Sequence, residues 1–496
     1  MRSVLFVGAG RHQRRAILRA KELGLRVVAV DRNPDALGLR EADVAEPVDF
    51  TDVPAVTEAA RRHGIDGVLT VSADRAVPVV AAVAEALGLP GTGNETARRL
   101  THKIAMRRTL ADAGVPQPRF AAARDLASGR LAGETVGYPA VLKPADSGGQ
   151  RGVFVIDSQD GLDAHLHSAL AESAEGEAIV ERFHDALELN GIAIARGGDV
   201  HVLTLSDRLR PPGVGFGVGW IHVYPASIYG DTLAEAERVA AAAGRALGLR
   251  DGIAFPQLLV DDDGSVRVVE VAARIPGGQM ADLVRHAVGV DLVEVALRFA
   301  LGDDVPDELV LPRKTQPLAI RFFTAEPGPL PTGQVARIGP LDPVLESEGV
   351  VQAETYLQVG ETIRPVRLDG DRRGYVIAVA DTSVEALDRA ERAARLLEVE
   401  IEPASLAERW QRFARVPFPS DDDSDVFVDL AEYDGYAGGL IATVANGDRP
   451  AYPLRVDEEL TRRVEATGSE VHIAYVRRLN ELIERAREEI ERVEAE

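Results

Sequence analysis

The chain contains no cysteine. A disulfide framework, a thiolate metal site and a cysteine nucleophile are therefore all excluded. Lysine is nearly as scarce, occurring only as Lys21, Lys103, Lys143 and Lys314, with arginine supplying almost all other positive charge. A lysine kept in such a chain can mark a place that needs a compact point charge, as against a phosphate, although compositional bias leaves survivors too. No apolar run approaches the length of a membrane span. The opening MRSVLFVGAG is too short in its apolar part for a signal peptide and breaks at Gly8, so it reads as a first β-strand and the cytoplasm as the expected location. A formal net charge of −23 leaves little clustered basic surface, which argues against nucleic acid or an anionic membrane as partner. Small molecules are the expected ligands.

What is present suits a soluble multidomain fold: 496 residues, 46% hydrophobic and 27% charged. Residues 1–98 alternate strand and helix patterns, as expected of an open parallel α/β sheet. Gly8-Ala9-Gly10 after the first strand and Asp31 after the second invite a dinucleotide reading, but Gln13 stands where the third glycine of that fingerprint belongs. Thr101-His102-Lys103 opens an amphipathic helix that ends at Gly114, and a new domain begins there.

The next motif is a strand carrying Lys143 and a loop of small residues from Asp146 to Gly152, with Ser147, Gly148, Gly149 and Gln150 at its centre. Backbone N–H groups of such a loop can wrap phosphate oxygens and close as a lid, although glycine-rich hairpins are commonly plain turns. A strand then ends in Glu181-Arg182-Phe183-His184, with Glu188 seven residues after Glu181. This is either a solvated strand end or the C=O and N–H edge that an adenine needs, with acids for its amine and for ribose. Arg208, Arg210, Trp220 and His222 follow in a segment that begins as a glycine-rich loop, and they are candidates for lining a substrate pocket.

Two alternating runs, Ala254–Val260 and Val266–Ala272, flank the turn Asp261-Asp262-Asp263-Gly264. That pattern predicts a β-hairpin in which Gln257 and Glu270 lie opposite each other, two oxygen donors suited to Mg²⁺. An ordinary surface hairpin fits the same residues. Arg274 comes four residues after Glu270, and Gly277-Gly278 then permits close approach of backbone to a ligand.

Taken in this order, the motifs resemble the ATP-grasp superfamily, over residues 1 to about 400. The resemblance implies an α/β and α+β multidomain protein with an ATP-grasp fold: an amino-terminal open parallel α/β domain over 1–98, an ATP-grasp core over 99–310 with a glycine-rich lid subdomain at about 116–188, and a carboxyl-terminal subdomain over 311–402. It implies ATP and Mg²⁺ as cofactors. Lys103 and Lys143 would hold phosphates, Glu181 with the backbone of Arg182 and His184 would read adenine, and Glu188 would bind ribose. Gln257 and Glu270 would ligate Mg²⁺, and Arg274 would stabilise the transferred phosphoryl group. One departure stands out: Ala272 replaces the asparagine that helps bind a second Mg²⁺ in the family. The expected activity is a carboxylate–amine ligase acting through an acyl-phosphate on small-molecule acid and amine. The alternatives are a bicarbonate-activating carboxylase and a catalytically silent ATP-binding protein.

Residues 403–496 lie beyond the resemblance. After the acidic stretch 420–425 comes a terminal helix beginning near Ser469, where Val476, Leu479, Ile483, Ala486, Ile490 and Val493 form an a/d stripe. Such a stripe docks either on the same helix of a second chain, making a homodimer, or on its own body as a brace.

Overall fold

The computed structural model describes residues 1–148, 151–212, 217–402, 413, 425–445 and 455–495. Gly149, Gln150 and most of the acidic stretch at 420–425 lie outside the described residues. The chain divides into two compact units, one formed by Met1–Thr332 with Arg337–Val399 and the other by Gly333–Ala336 with Glu400–Glu496.

The first unit opens with a parallel four-stranded sheet in the order Val44–Glu46, Arg26–Val30, Ser3–Val7, Gly67–Leu69. Ser3–Val7 lies inside this sheet and is buried along its whole length, which is why it is written as a continuous apolar run rather than an alternating one. Helix Arg11–Glu22 follows it and buries Ala16, Ile17 and Ala20 on one face. The loop between them is closed by the protein itself, because the Asp31 carboxylate accepts the Ala9 N–H at 2.9 Å and the Asn33 N–H at 3.0 Å. An acid used in this way is not free to hold a ribose, and the dinucleotide reading fails there.

A second, antiparallel sheet runs Phe120–Ala123, Ala178–Arg182, Ala140–Pro144, Phe154–Ile156. Helices Leu126–Val136 and Gln159–Ala171 cover it through Ala132, Val136, Leu162 and Leu166. The largest sheet has eight antiparallel strands, beginning with Val266–Ala272, Gly252–Val260, Leu187–Arg196, Asp199–Leu209 and Ile221–Tyr224. It continues without a break into Leu318–Phe322, Gly374–Val379 and Val350–Thr355. Strands from beyond residue 310 thus extend the sheet that carries the hairpin.

The hairpin itself has the expected geometry. Gln257 pairs with Glu270 and Phe255 with Ala272, while Gly264 takes φ +82°, a left-handed turn conformation that suits glycine. Val71 makes a single parallel bridge to Ile275, and the Ser72 N–H donates to the Ile275 carbonyl at 2.9 Å. These contacts join the first sheet to the segment that follows the hairpin.

The second unit contains helices Asp425–Ala445, Glu458–Ala466 and Glu470–Ala495. Val476, Leu479, Ile483 and Ala486 of the stripe are at most 1% exposed and pack with Leu430, Ala437, Ile441, Leu460 and Val464 of the other two helices. These four positions of the stripe are therefore taken up inside their own chain, while Ile490 is half-buried and the side chain of Val493 lies outside the described residues. Partly buried polar groups link the three helices: the Tyr433 hydroxyl donates to Asn480 Oδ1 at 2.7 Å, and Asn480 Nδ2 donates to Thr461 Oγ1 at 3.0 Å. Leu479→Ala should accordingly lower stability in a urea titration by about 2–4 kcal/mol, the cost of a core cavity, with no change in mass by light scattering.

Candidate active site

A cavity of about 570 Å³ lies in the first unit, lined by residues of the loop after strand Ala140–Pro144, of the hairpin and of the segments that follow strands of the first parallel sheet. Of the residues expected at an ATP and metal site, Lys103, Lys143, Ser147, Gly148, Glu188, Gln257, Glu270 and Arg274 all line it. Two of the chain's four lysines therefore meet at one place.

Each lysine is held by the backbone geometry around it. Lys103 is the first residue of helix Lys103–Asp112, which His102 caps by accepting the Ala105 N–H on Nδ1 at 3.3 Å. The Lys103 amide donates to the Ala145 carbonyl at 2.7 Å and its Nζ to the Ser147 carbonyl at 2.6 Å. Burial lowers the pKa of this amine, against the nearby charge of Glu270, which raises it. Lys143 sits on strand Ala140–Pro144, with Nζ 2.7 Å from Glu181 Oε2.

Glu181 corrects the adenine reading of its side chain. It is 2% exposed, and its other oxygen accepts Arg107 Nε at 2.7 Å, so both oxygens are engaged inside the protein. Burial alone would raise its pKa, but the adjacent charges of Arg107 and Lys143 outweigh burial and bring it down to about 2. Any part that Glu181 takes in reading adenine falls to its backbone. Arg182 and Phe183 hold the same strand end in place: Arg182 Nη1 donates to the Tyr138 carbonyl and the Phe183 N–H to the Pro139 carbonyl. His184 Nδ1 lies 3.3 Å from Asp261.

The pocket candidates divide. Arg208 and His222 line the cavity with Gly277 and Gly278, whereas Arg210 and Trp220 do not. Trp220 is a structural residue, because its ring stacks on the Arg321 guanidinium at 4.3 Å and its Nε1–H donates to Thr324 Oγ1 at 3.1 Å. Arg210 turns to Asp185 and Glu188. Glu188 also pairs with Arg208. His222 is buried, and burial first, then Arg372 and Arg208, pushes its pKa well below the ordinary histidine value. Its Nδ1 faces Asn190 Nδ2 at 3.3 Å and so accepts, leaving the proton on Nε2, toward Gly278.

Four carboxylates line the cavity: Asp74, Glu188, Glu270 and Asp369. Arg274 holds Asp74 at 2.6 Å, Arg208 holds Glu188 and Arg372 holds Asp369. Glu270 alone has no ion pair among the described residues. Beside it, Gln257 donates its Nε2 to Asn190 at 3.1 Å, which leaves the amide oxygen as a free donor atom for a cation. An unpaired carboxylate next to an amide oxygen fits one Mg²⁺. Ala272 is 3% exposed and takes no part in the cavity wall. Ser147 Oγ is buried without a partner among the described residues, as a phosphate-facing hydroxyl would be.

Arg107, Asn190, Asp74, Arg11 and Arg372 belong to this site without having been singled out in the sequence. Arg107 alone carried a signal, since it follows Lys103 by four residues and shares its helix face.

The same order of parts appears in known proteins. Residues 18–91 match the ATP-grasp N-terminal domain, 102–308 the carbamoyl-phosphate synthase L chain ATP-binding domain and 321–402 the L-amino acid ligase C-terminal domain 2. The chain belongs to the ATP-grasp superfamily. Its homologues are carbon–nitrogen bond-forming ligases. It is 28% identical over 411 residues to the formate-dependent phosphoribosylglycinamide formyltransferase of Ignicoccus hospitalis, covering 80% of this chain and 95% of that protein. It shares its fold with the L-amino acid ligase of Bacillus licheniformis at a TM-score of 0.70 and 22% identity, over 81% of this chain and 99% of that one. The biotin carboxylase domain of Hydrogenobacter thermophilus 2-oxoglutarate carboxylase also shares it, at a TM-score of 0.65 and 18% identity, over 80% and 90%.

Replacing Glu181 with glutamine should destabilise the protein by about 3–5 kcal/mol near neutral pH, because Lys143 and Arg107 stay buried without their counter-charge. The pH dependence gives a second readout. A carboxylate whose pKa falls from 4.5 to about 2 on folding stabilises the fold above pH 4.5 and loses that contribution as pH drops toward 2. The parent should therefore lose stability more steeply than Glu181→Gln across that window in acid-unfolding curves.

Proposed function

We propose that the protein activates a carboxylate as an acyl-phosphate and joins it to an amine, with release of ADP and phosphate. The observation that carries this reading is the meeting of Lys103, Lys143, Glu270 and Arg274 on one cavity wall. A carboxylate is a poor electrophile, and ATP with Mg²⁺ supplies the phosphoryl group that turns its oxygen into a leaving group. Lys103 and Lys143 bind the phosphates, and Glu270 with Gln257 provides the oxygen donors for the metal. Arg274, kept in place by Asp74, faces the charge on the transferring group. The amine nitrogen then attacks the acyl carbon, the C–N bond forms as the C–O bond to phosphate breaks, phosphate leaves with the electron pair, and the nitrogen gives up a proton. The loop 146–152 excludes water from the acyl-phosphate.

The match of 321–402 to the L-amino acid ligase module favours an amine acceptor over bicarbonate. A phosphate-release screen of amino acids, singly and in pairs, with product masses, tests this; a requirement for bicarbonate would favour the carboxylase. The buried Ala272 favours a second reading, a catalytically silent ATP-binding protein, which ATP binding without turnover on any substrate pair would support. A homodimer and a cytoplasmic location remain parts of the proposal; the described residues include no helix long and apolar enough to cross a membrane, and light scattering of the full chain tests the dimer.

Lys103→Ala and Lys143→Ala should each weaken ATP binding in calorimetry by roughly tenfold to a hundredfold, the loss of a charge-assisted contact worth ~1.5–3 kcal/mol. Unchanged affinity in both would remove the phosphate assignment. Glu270→Ala should abolish turnover, and Ala272→Asn should shift the Mg²⁺ dependence of turnover to lower concentration. Superimposable Mg²⁺ titrations of parent and asparagine variant would place residue 272 away from the metal.

A further inference from the structure

The position of Lys103 depends on the residue before it. His102 ends helix Asn94–Thr101, where its N–H donates to the Arg98 carbonyl at 2.9 Å, and it also caps helix Lys103–Asp112, whose Met106 N–H donates to its carbonyl at 2.9 Å. Ser, Thr, Asn and Asp are the usual residues at such a cap. Here an imidazole fills the position, its Nδ1 accepting the Ala105 N–H at 3.3 Å. An Nδ1 that accepts leaves the ring proton on Nε2. His102 is 4% exposed, and its Nε2 lies 3.4 Å from Glu177 Oε2 and 3.5 Å from Glu175 Oε2 with no hydrogen-bond partner among the described residues. A nitrogen that carries a proton is no metal ligand, so the cluster of His102, Glu175 and Glu177 is a place for a proton rather than for a cation.

The two acids belong to the turn that carries the base of the loop 146–152. Ala145 donates its N–H to the Glu177 carbonyl at 2.9 Å and accepts the Lys103 N–H at 2.7 Å, and the Asp146 carboxylate accepts the Ala174 and Glu175 N–H groups at 3.1 and 3.0 Å. The charged groups that face the ring are Glu175, paired with Arg98, and Glu177, paired with Arg124. Asp146 engages the same turn, and Lys103, next in the chain, turns its Nζ to the Ser147 carbonyl. A second proton on the ring goes to Nδ1, where it faces the Ala105 N–H and removes the cap. The positive ring is then drawn to Glu175 and Glu177 and repelled by the open N–H groups at the helix start. We propose that neutral His102 is the positioning residue for Lys103, and that protonation of its ring uncaps the helix and weakens the hold of Lys103 on phosphate. The inference rests on the reading of Lys103 as a phosphate ligand and adds to it a dependence on protons.

His102→Asn keeps an oxygen that accepts the Ala105 N–H and removes the titrating ring, whereas His102→Ala removes both. Calorimetric affinity for a non-hydrolysable ATP analogue with Mg²⁺ is compared from about pH 8 to about pH 5.5, the range in which imidazoles ordinarily change charge. Across it the parent should lose roughly fivefold more affinity than His102→Asn, the equivalent of a helix cap. His102→Ala should bind more weakly than the parent at the upper end and follow a profile parallel to that of His102→Asn. Lys103, whose pKa burial lowers, only gains charge as pH falls, so a loss confined to the parent has the sign of His102 and not of the lysine. Where Lys103→Ala weakens binding, coincident profiles for parent and His102→Asn overturn the inference, and that pair decides it even if His102→Ala fails to fold. Where Lys103→Ala leaves affinity unchanged, the phosphate reading fails by itself, and hydrogen exchange tests the cap without nucleotide. The protection of the peptide that carries Ala105, corrected for the intrinsic rate, should fall with pH in the parent and hold in His102→Asn; equal protection in both overturns the inference.

Discussion

The Glu181 carboxylate sits between two buried cations, and much of the site depends on that balance. Lys143 approaches it from strand Ala140–Pro144 and Arg107 from the helix that begins at Lys103. Arg107 also donates to the Val268 and Val269 carbonyls at 2.9 and 2.7 Å, which lie just before Glu270 on the hairpin. One acid therefore joins the sheet of Lys143, the helix of Lys103 and the strand of Glu270. Three charges buried together are costly unless each is matched, and here five directional contacts do the matching. The arrangement sets where both lysines stand before any phosphate arrives.

The parts of this site that could be read in the sequence are those written in local rules. The hairpin follows from alternation around an acidic turn, but the pairing of Gln257 with Glu270 depends on a bulge at Val269, since a regular ladder counted from Val260 and Val266 would bring Gln257 opposite Val269. The lysines were visible because there are so few of them. The terminal stripe showed that its helix docks, since 3,4 spacing is a statement about one face, but not on what; the partners are helices Asp425–Ala445 and Glu458–Ala466 of the same chain. Partners far apart in the chain left no such trace. Asp74 meets Arg274 across 200 residues, and Arg372 reaches Gly278 from the turn before strand Gly374–Val379. Trp220 shows the opposite error. An aromatic residue after a glycine-rich loop suits a pocket, yet burial of Arg321 gave its ring a different use.

The first parallel sheet contributes more to the site than a platform. Its last strand runs on into Val71 and Ser72, which join Ile275, and then into Asp74, which holds Arg274. Arg274 thus belongs by covalent chain to the hairpin and by charge to the segment that follows the opening sheet. Movement of either would move the reacting end of the cavity.

The ion pairs along the cavity wall also determine how a charged ligand enters. Arg274, Arg208, Arg372 and Lys143 each carry a counter-charge supplied by the chain itself. A triphosphate entering such a wall would meet Lys103 without a counter-charge paired to it among the described residues, and would compete with Asp74 and Glu188 for the arginines they already hold. Binding becomes an ion exchange within the protein, in which displaced carboxylates are left to find water, magnesium or a substrate ammonium. Affinity for a nucleotide bound at this wall would be moderated by that competition.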